Sequence, residues 1–173
     1  MIRDTHHDGA TRSEALWSPC RSYRYALTRR WDDGPGLGIV MLNPSTADAF
    51  RNDPTVERCE RRARALGFGA FRVVNLFAFC ATDPRDLRKA PEAIGPLNDD
   101  VLRQAAEWSQ GILCGWGVHG AHLGRATQVE SLLRATGVPL FHLGLTKAGM
   151  PRHPLYVAYR QGPVPWDPVA APR

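Results

Sequence analysis

Leu37-Gly38-Ile39-Val40-Met41-Leu42 is a short, unbroken apolar run, followed at once by Asn43-Pro44-Ser45-Thr46-Ala47-Asp48. Six residues without alternation fit a strand buried on both faces, which is the habit of parallel sheets. Three further stretches are read as strands: 71–76, a second buried one, then 112–115 and 139–143. Between them lie helical patterns. Asp53-Pro54-Thr55 places a capping carboxylate before a proline at the first helical position. Val56, Cys59, Ala63 and Leu66 then recur at helical spacing up to Gly67. Asn98 is read as the cap of a second helix bearing Val101, Leu102, Ala105 and Trp108, and residues 125–136 form a third with Val129, Leu132 and Leu133. This alternation predicts an α/β fold of three layers, α/β/α, around a short, mainly parallel central sheet.

Outward from that centre the signals weaken. Residues 22–31 alternate Tyr23, Tyr25 and Leu27 against Arg24, Ala26 and Thr28, as a half-buried strand does, before the turn at 32–36. Residues 1–15 are polar and patternless and are expected to be frayed, and the proline-rich tail from Pro163 is expected to be extended and peripheral. The whole of 1–173 is read as a single domain, a length sufficient for its own core.

Composition narrows the classes. Hydrophobic residues make up 43% and charged residues 23% of the chain, the balance of a globular protein. No apolar run is long enough to span a membrane, and the polar start does not read as a signal peptide. Four isolated cysteines, with no CxxC, read as reduced thiols of a cytoplasmic protein. His119 and His122 have a ligand-like spacing but no nearby carboxylate or thiolate, so no metal is expected. A net charge of +5, carried almost wholly by arginine, permits a nucleic-acid partner without requiring one.

In parallel sheets ligands bind beyond the carboxyl ends of the strands, and the unusual residues fall there. Asn43 carries an amide that can donate and accept, on a loop fixed by Pro44, with Ser45, Thr46 and Asp48 either binding a ligand or capping a turn. Asn75 interrupts an apolar strand, where its amide either braces a neighbouring loop or reads a nucleobase edge. Phe77 and Phe79 follow it, available for stacking or for the core. Trp116 stands between Gly115 and Gly117, as a lid or as packing. Lys147, Arg152 and His153 occupy a proline-stiffened loop able to present cationic donors to a developing anion. No Walker loop, dinucleotide fingerprint or serine-hydrolase elbow occurs, and no cofactor is expected.

Met41-Leu42-Asn43-Pro44-Ser45-Thr46-Ala47-Asp48, Asp53-Pro54-Thr55, Asn75-Leu76-Phe77-Ala78, Ala81-Thr82-Asp83-Pro84, Gly115-Trp116-Gly117 and His153-Pro154-Leu155-Tyr156, in this order, resemble a bacterial and phage family catalogued as domain of unknown function 1643. More remotely, the layout is similar to the uracil-DNA glycosylase superfamily. That likeness implies a water-positioning residue at Asn43, a base-reading asparagine at Asn75 and a loop at His153 that stabilises the departing base. Met41 and Ser45 replace two glycines of the first motif, and Leu155 replaces a serine of the last. The cluster-binding cysteines of some branches are unmatched, so no iron–sulfur cluster is implied. Taken together, these features lead to the expectation of an N-glycosidic bond hydrolase or base-reading protein acting on nucleic acid or nucleotides. In it Asn43, alone or with Asp48, places water, His153 stabilises the leaving base, and Lys147 and Arg152 hold phosphate. The rivals are an enzyme on a free nucleotide or sugar conjugate, and a non-catalytic nucleic-acid-binding module.

Overall fold

The computed structural model describes residues 1–168. Its strands are β1 (Ile2–Asp8), β2 (Thr11–Trp17), β3 (Arg24–Arg30), β4 (Gly36–Met41), β5 (Ala70–Asn75), β6 (Gly111–Cys114), β7 (Leu140–His142) and β8 (Val164–Pro165). Its α-helices are α1 (Pro54–Ala65), α2 (Pro84–Lys89), α3 (Asn98–Trp108) and α4 (Arg125–Ala135). The strands form one sheet in the order β1-β2-β3-β5-β4-β6-β7-β8.

The expected short, mainly parallel, glycosylase-like sheet is therefore wrong. The sheet is mixed and has eight strands. Pairings β1–β2, β2–β3, β3–β5 and β7–β8 are antiparallel, against parallel β4–β5, β4–β6 and β6–β7. The excess comes from the ends of the chain. Residues 1–15 are not frayed: they build most of a hairpin in register from Ile2 opposite Trp17 to Asp8 opposite Thr11. The tail returns as Val164 and Pro165 beside β7, while residues 169–173 lie outside the description.

Two apolar clusters lie on the two faces of the sheet. Ile39, Val73 and Leu113 point to one face, where Val56, Cys59 and Ala63 of α1 cover them. Val40, Val74 and Ile112 point to the other, beneath Leu102 and Ala105 of α3 and Val129 and Leu133 of α4. Each fully buried leucine or phenylalanine, such as Leu102 or Phe71, stabilises the fold by about 1.5–3 kcal/mol relative to exposure. Asp53 caps α1 as its sequence implies, its side chain accepting from Val56 N. Asn98 does not cap α3. It is the first helical residue, and its buried amide donates to the carbonyls of Asn75 and Leu76 at 3.0 Å each.

This layering places a crevice. From β4 the chain passes through α1 on one face to β5; from β6 it passes through α4 on the other face to β7. β4 and β6 are neighbours whose exits diverge, the arrangement that opens a cleft at the carboxyl ends of the strands.

Candidate functional site

A cleft of about 580 Å³ lies at that point, within the usual size range for small-molecule sites. The loop after β4 forms one wall with Asn43, Ser45 and Thr46. The start of α1 adds Asp53 and Thr55, and the exit of β6 adds Trp116 and His119. The late loop adds Arg152, His153 and Tyr156.

Local bonds fix these walls. The Asn43 amide nitrogen donates to the carbonyls of Ala81 at 2.7 Å and Pro44 at 3.0 Å, and Ala81 N donates to the Pro44 carbonyl. With the nitrogen so engaged, Oδ1 is the end of the amide left free to accept. Ser45 Oγ reaches Thr82 Oγ1 at 3.3 Å. Beneath the same loop, buried Arg24 donates to the Ala47 carbonyl, and buried Arg29 donates to the Asp48 carbonyl and to Asn52 Oδ1.

The opposite wall is seated by close backbone approach. A Cβ on Gly115 would lie 2.8 Å from Pro154 Cδ, so only glycine admits the late loop here. Gly117, at φ 71, donates to the Pro151 carbonyl at 2.8 Å. Arg58 and Arg62 of α1 then clasp the following segment through the carbonyls of Pro154, Val157, Ala158 and Gln161. His153 caps the short 3₁₀ turn Pro154–Tyr156, Nδ1 accepting from Leu155 N at 3.3 Å. That bond assigns the neutral ring's proton to Nε2, making it the donor. Burial pushes the His153 pKa down, with the charge of Asp53 pulling the other way.

The cleft gathers some of the expected residues and not others. Asn43, Ser45, Thr46, Trp116, Arg152 and His153 line it. Asn75 does not: it is buried at 1% exposure, and neither polar atom of its side chain has a partner among the described residues. Phe77 is core, packed near His122 at a ring separation of 5.5 Å. Pro44 is off the lining. Asp48 turns away to hold its own loop, accepting from Phe50 N and Arg51 N. Lys147 sits exposed on an excursion closed by the Leu145–Pro151 bridge, outside the cleft. The arginine face of α1 is also occupied. Besides Arg58 and Arg62, Arg61 pairs with Glu57 at 3.0 Å and Arg64 with Glu60 at 2.9 Å.

Sequence reasoning missed Arg24, Thr55 and Tyr156 as lining residues. For Tyr156 the signal was present in its motif. For Arg24 there was only an arginine amid the apolar residues of a strand.

The family model described as "Protein of unknown function (DUF1643)" matches residues 24–155. The chain belongs to this family. In this DUF1643 protein the matched span begins at Arg24 and ends at Leu155, so it contains both walls of the cleft except Tyr156. No curated protein and no solved structure matches the chain.

Proposed function

We propose that this DUF1643 protein is a hydrolase of an N-glycosidic bond in a small nucleobase-bearing substrate, a free nucleotide or related sugar conjugate. The observation that carries the reading is the meeting of Asn43 and His153, 110 positions apart, on the walls of one cleft with complementary free ends. Asn43 offers the acceptor Oδ1, suited to orienting a water; His153 offers the donor Nε2–H, suited to the nitrogen or oxygen on which charge develops as the base departs. A depressed pKa keeps His153 a neutral donor near neutral pH. Tyr156, 75% exposed at the rim beside His153, supplies a flat face for a base.

A free nucleotide is favoured over a polymer because the α1 arginines are committed within the protein. Tracking a strand needs a run of cations turned outward toward phosphates, and Arg58, Arg61, Arg62 and Arg64 are bonded to carbonyls or glutamates. The test is a screen of natural and modified nucleosides, nucleotides and oligonucleotides for release of free base. Release from nucleotides, lost in Asn43→Ala and His153→Ala, is the expected result. Release confined to oligonucleotides favours the nucleic-acid reading, and no release from any substrate leaves only binding.

A further inference from the structure

Arg24 is the anomaly of the cleft. It is 1% exposed, yet it lines the cavity and has no ion-pair partner among the described residues. Among the described residues its side chain makes one hydrogen bond, from Nη1 to the Ala47 carbonyl, and Nε is buried without a partner. A buried charge without a counter-charge is costly and is normally paired. Asp53 and Asp48 attract it from a distance, but neither forms an ion pair with it; Asp53, the only carboxylate on the lining among the described residues, has its two oxygens turned to Val56 N and Ala47 N. Burial lowers the Arg24 pKa to about 10, which leaves it cationic at neutral pH. Around it the cleft adds Arg152, exposed and without a side-chain hydrogen bond or ion pair among the described residues, and the hydroxyls of Ser45, Thr46 and Thr55.

We propose that Arg24 anchors a terminal anionic group of the ligand, a phosphate monoester or a carboxylate, in the depth of this cleft. The guanidinium edge not held by Ala47 is a planar fork of the kind that takes two oxygens of one anion. Its depth selects the class of ligand. An internal phosphodiester continues in both directions and cannot be threaded to a side chain 1% exposed, whereas a terminal group can be inserted end-on. Arg24 thereby becomes a specificity residue for free phosphorylated or carboxylated molecules. The proposal rests on the cleft being the ligand site and deepens that reading by naming the group recognised.

The experiment measures binding to the full chain by calorimetry and thermal shift, with inorganic phosphate, malonate, uridine 5′-monophosphate, uridine, and a decathymidylate lacking terminal phosphates. Phosphate is expected to raise the melting temperature, and the monophosphate to bind at least tenfold more tightly than uridine. Arg24→Met, which removes the buried charge at similar volume, abolishes that difference. Arg24→Lys, which keeps the charge but not the fork, reduces it, and serves if the methionine variant fails to fold. Stronger stabilisation by malonate than by phosphate identifies the anion as a carboxylate. The proposal is overturned if neither anion stabilises the wild type, if uridine matches its monophosphate, if Arg24→Lys leaves the ratio intact, or if the decathymidylate binds as tightly as the monophosphate. Base release is a separate readout: anion binding without it keeps the anchor and removes the hydrolase, while base release from uridine 5′-monophosphate by Arg24→Met at the wild-type KM and kcat keeps the hydrolase and removes the anchor.

Discussion

Replacing Gly115 by alanine tests whether the late loop is seated on the end of β6. The added Cβ would stand 2.8 Å from Pro154 Cδ, 3.1 Å from its Cγ and 3.3 Å from the Arg152 carbonyl oxygen. Carbon pairs settle at about 3.5–4.0 Å, so Pro154 must retreat by roughly 1 Å, and His153 is its neighbour. Overpacking of this kind costs about 1–3 kcal/mol, offset by up to about 1 kcal/mol from the stiffer unfolded chain, a net loss of up to about 3 kcal/mol. At about 2–4 °C per kcal/mol for a chain of this size, the melting temperature falls by up to about 12 °C. Ligand affinity falls with it, because the wall carrying Arg152 and His153 has moved. Gly162→Ala is the control: nothing lies within 4 Å of its Cβ, and it should be neutral. Differential scanning calorimetry and calorimetric titration read both effects. Gly115→Ala with unchanged melting temperature and unchanged affinity would refute the seating.

Cys20, whose pKa is lowered to about 7 by hydrogen bonds from Ser18 and Ser22, should be alkylated rapidly at pH 7.5. Buried Cys59 and Cys114, both pushed up by burial, should resist until the protein unfolds, as peptide mass spectrometry would show. His153 has a folded-state pKa below its ordinary value of about 6.5, so the unfolded chain takes the proton first. Its contribution is complete above about pH 6.5 and is lost as the pH falls. His142 shifts in the same direction, so the measure is the difference: His153→Gln should lose less stability between about pH 6.5 and 5 than the wild type in urea titrations. Tyr156→Ala should raise KM severalfold with little change in kcat, because a stacking face at the rim binds ground and transition states alike.

The centre of the sheet could be read from sequence because its strands are buried on both faces and their code is plain: 37–42 holds no polar side chain, and 71–76 holds only Arg72 and Asn75 among apolar residues. The hairpin was illegible for the opposite reason. β1 alternates between half-buried and exposed, but the half-buried positions are Ile2, Asp4 and His6, and polar side chains hide the period. β2 turns the small residues Ser13 and Ala15 inward, which carry little hydropathic signal. In the cleft, Asn43 and His153 were found because strand ends mark sites in α/β sheets. Asn75 obeys the same rule and misled, since being at a strand end does not say which way a side chain points. The alternation over 22–31 puts Arg24 on the solvated face of a half-buried strand. Pairing with β2 on one side and β5 on the other makes β3 an interior strand, and residues 24–27 are all buried.

The central claim is that Asn43 and His153 act together on one bond. Its most direct test is the rate of free-base release from the best nucleotide found by screening, measured by chromatography for the wild type and for the Asn43→Ala/His153→Ala double variant. The double variant is expected to lose roughly a hundredfold or more, with each single variant accounting for much of it and the fold intact by circular dichroism. Release at the wild-type rate by a folded double variant would contradict it.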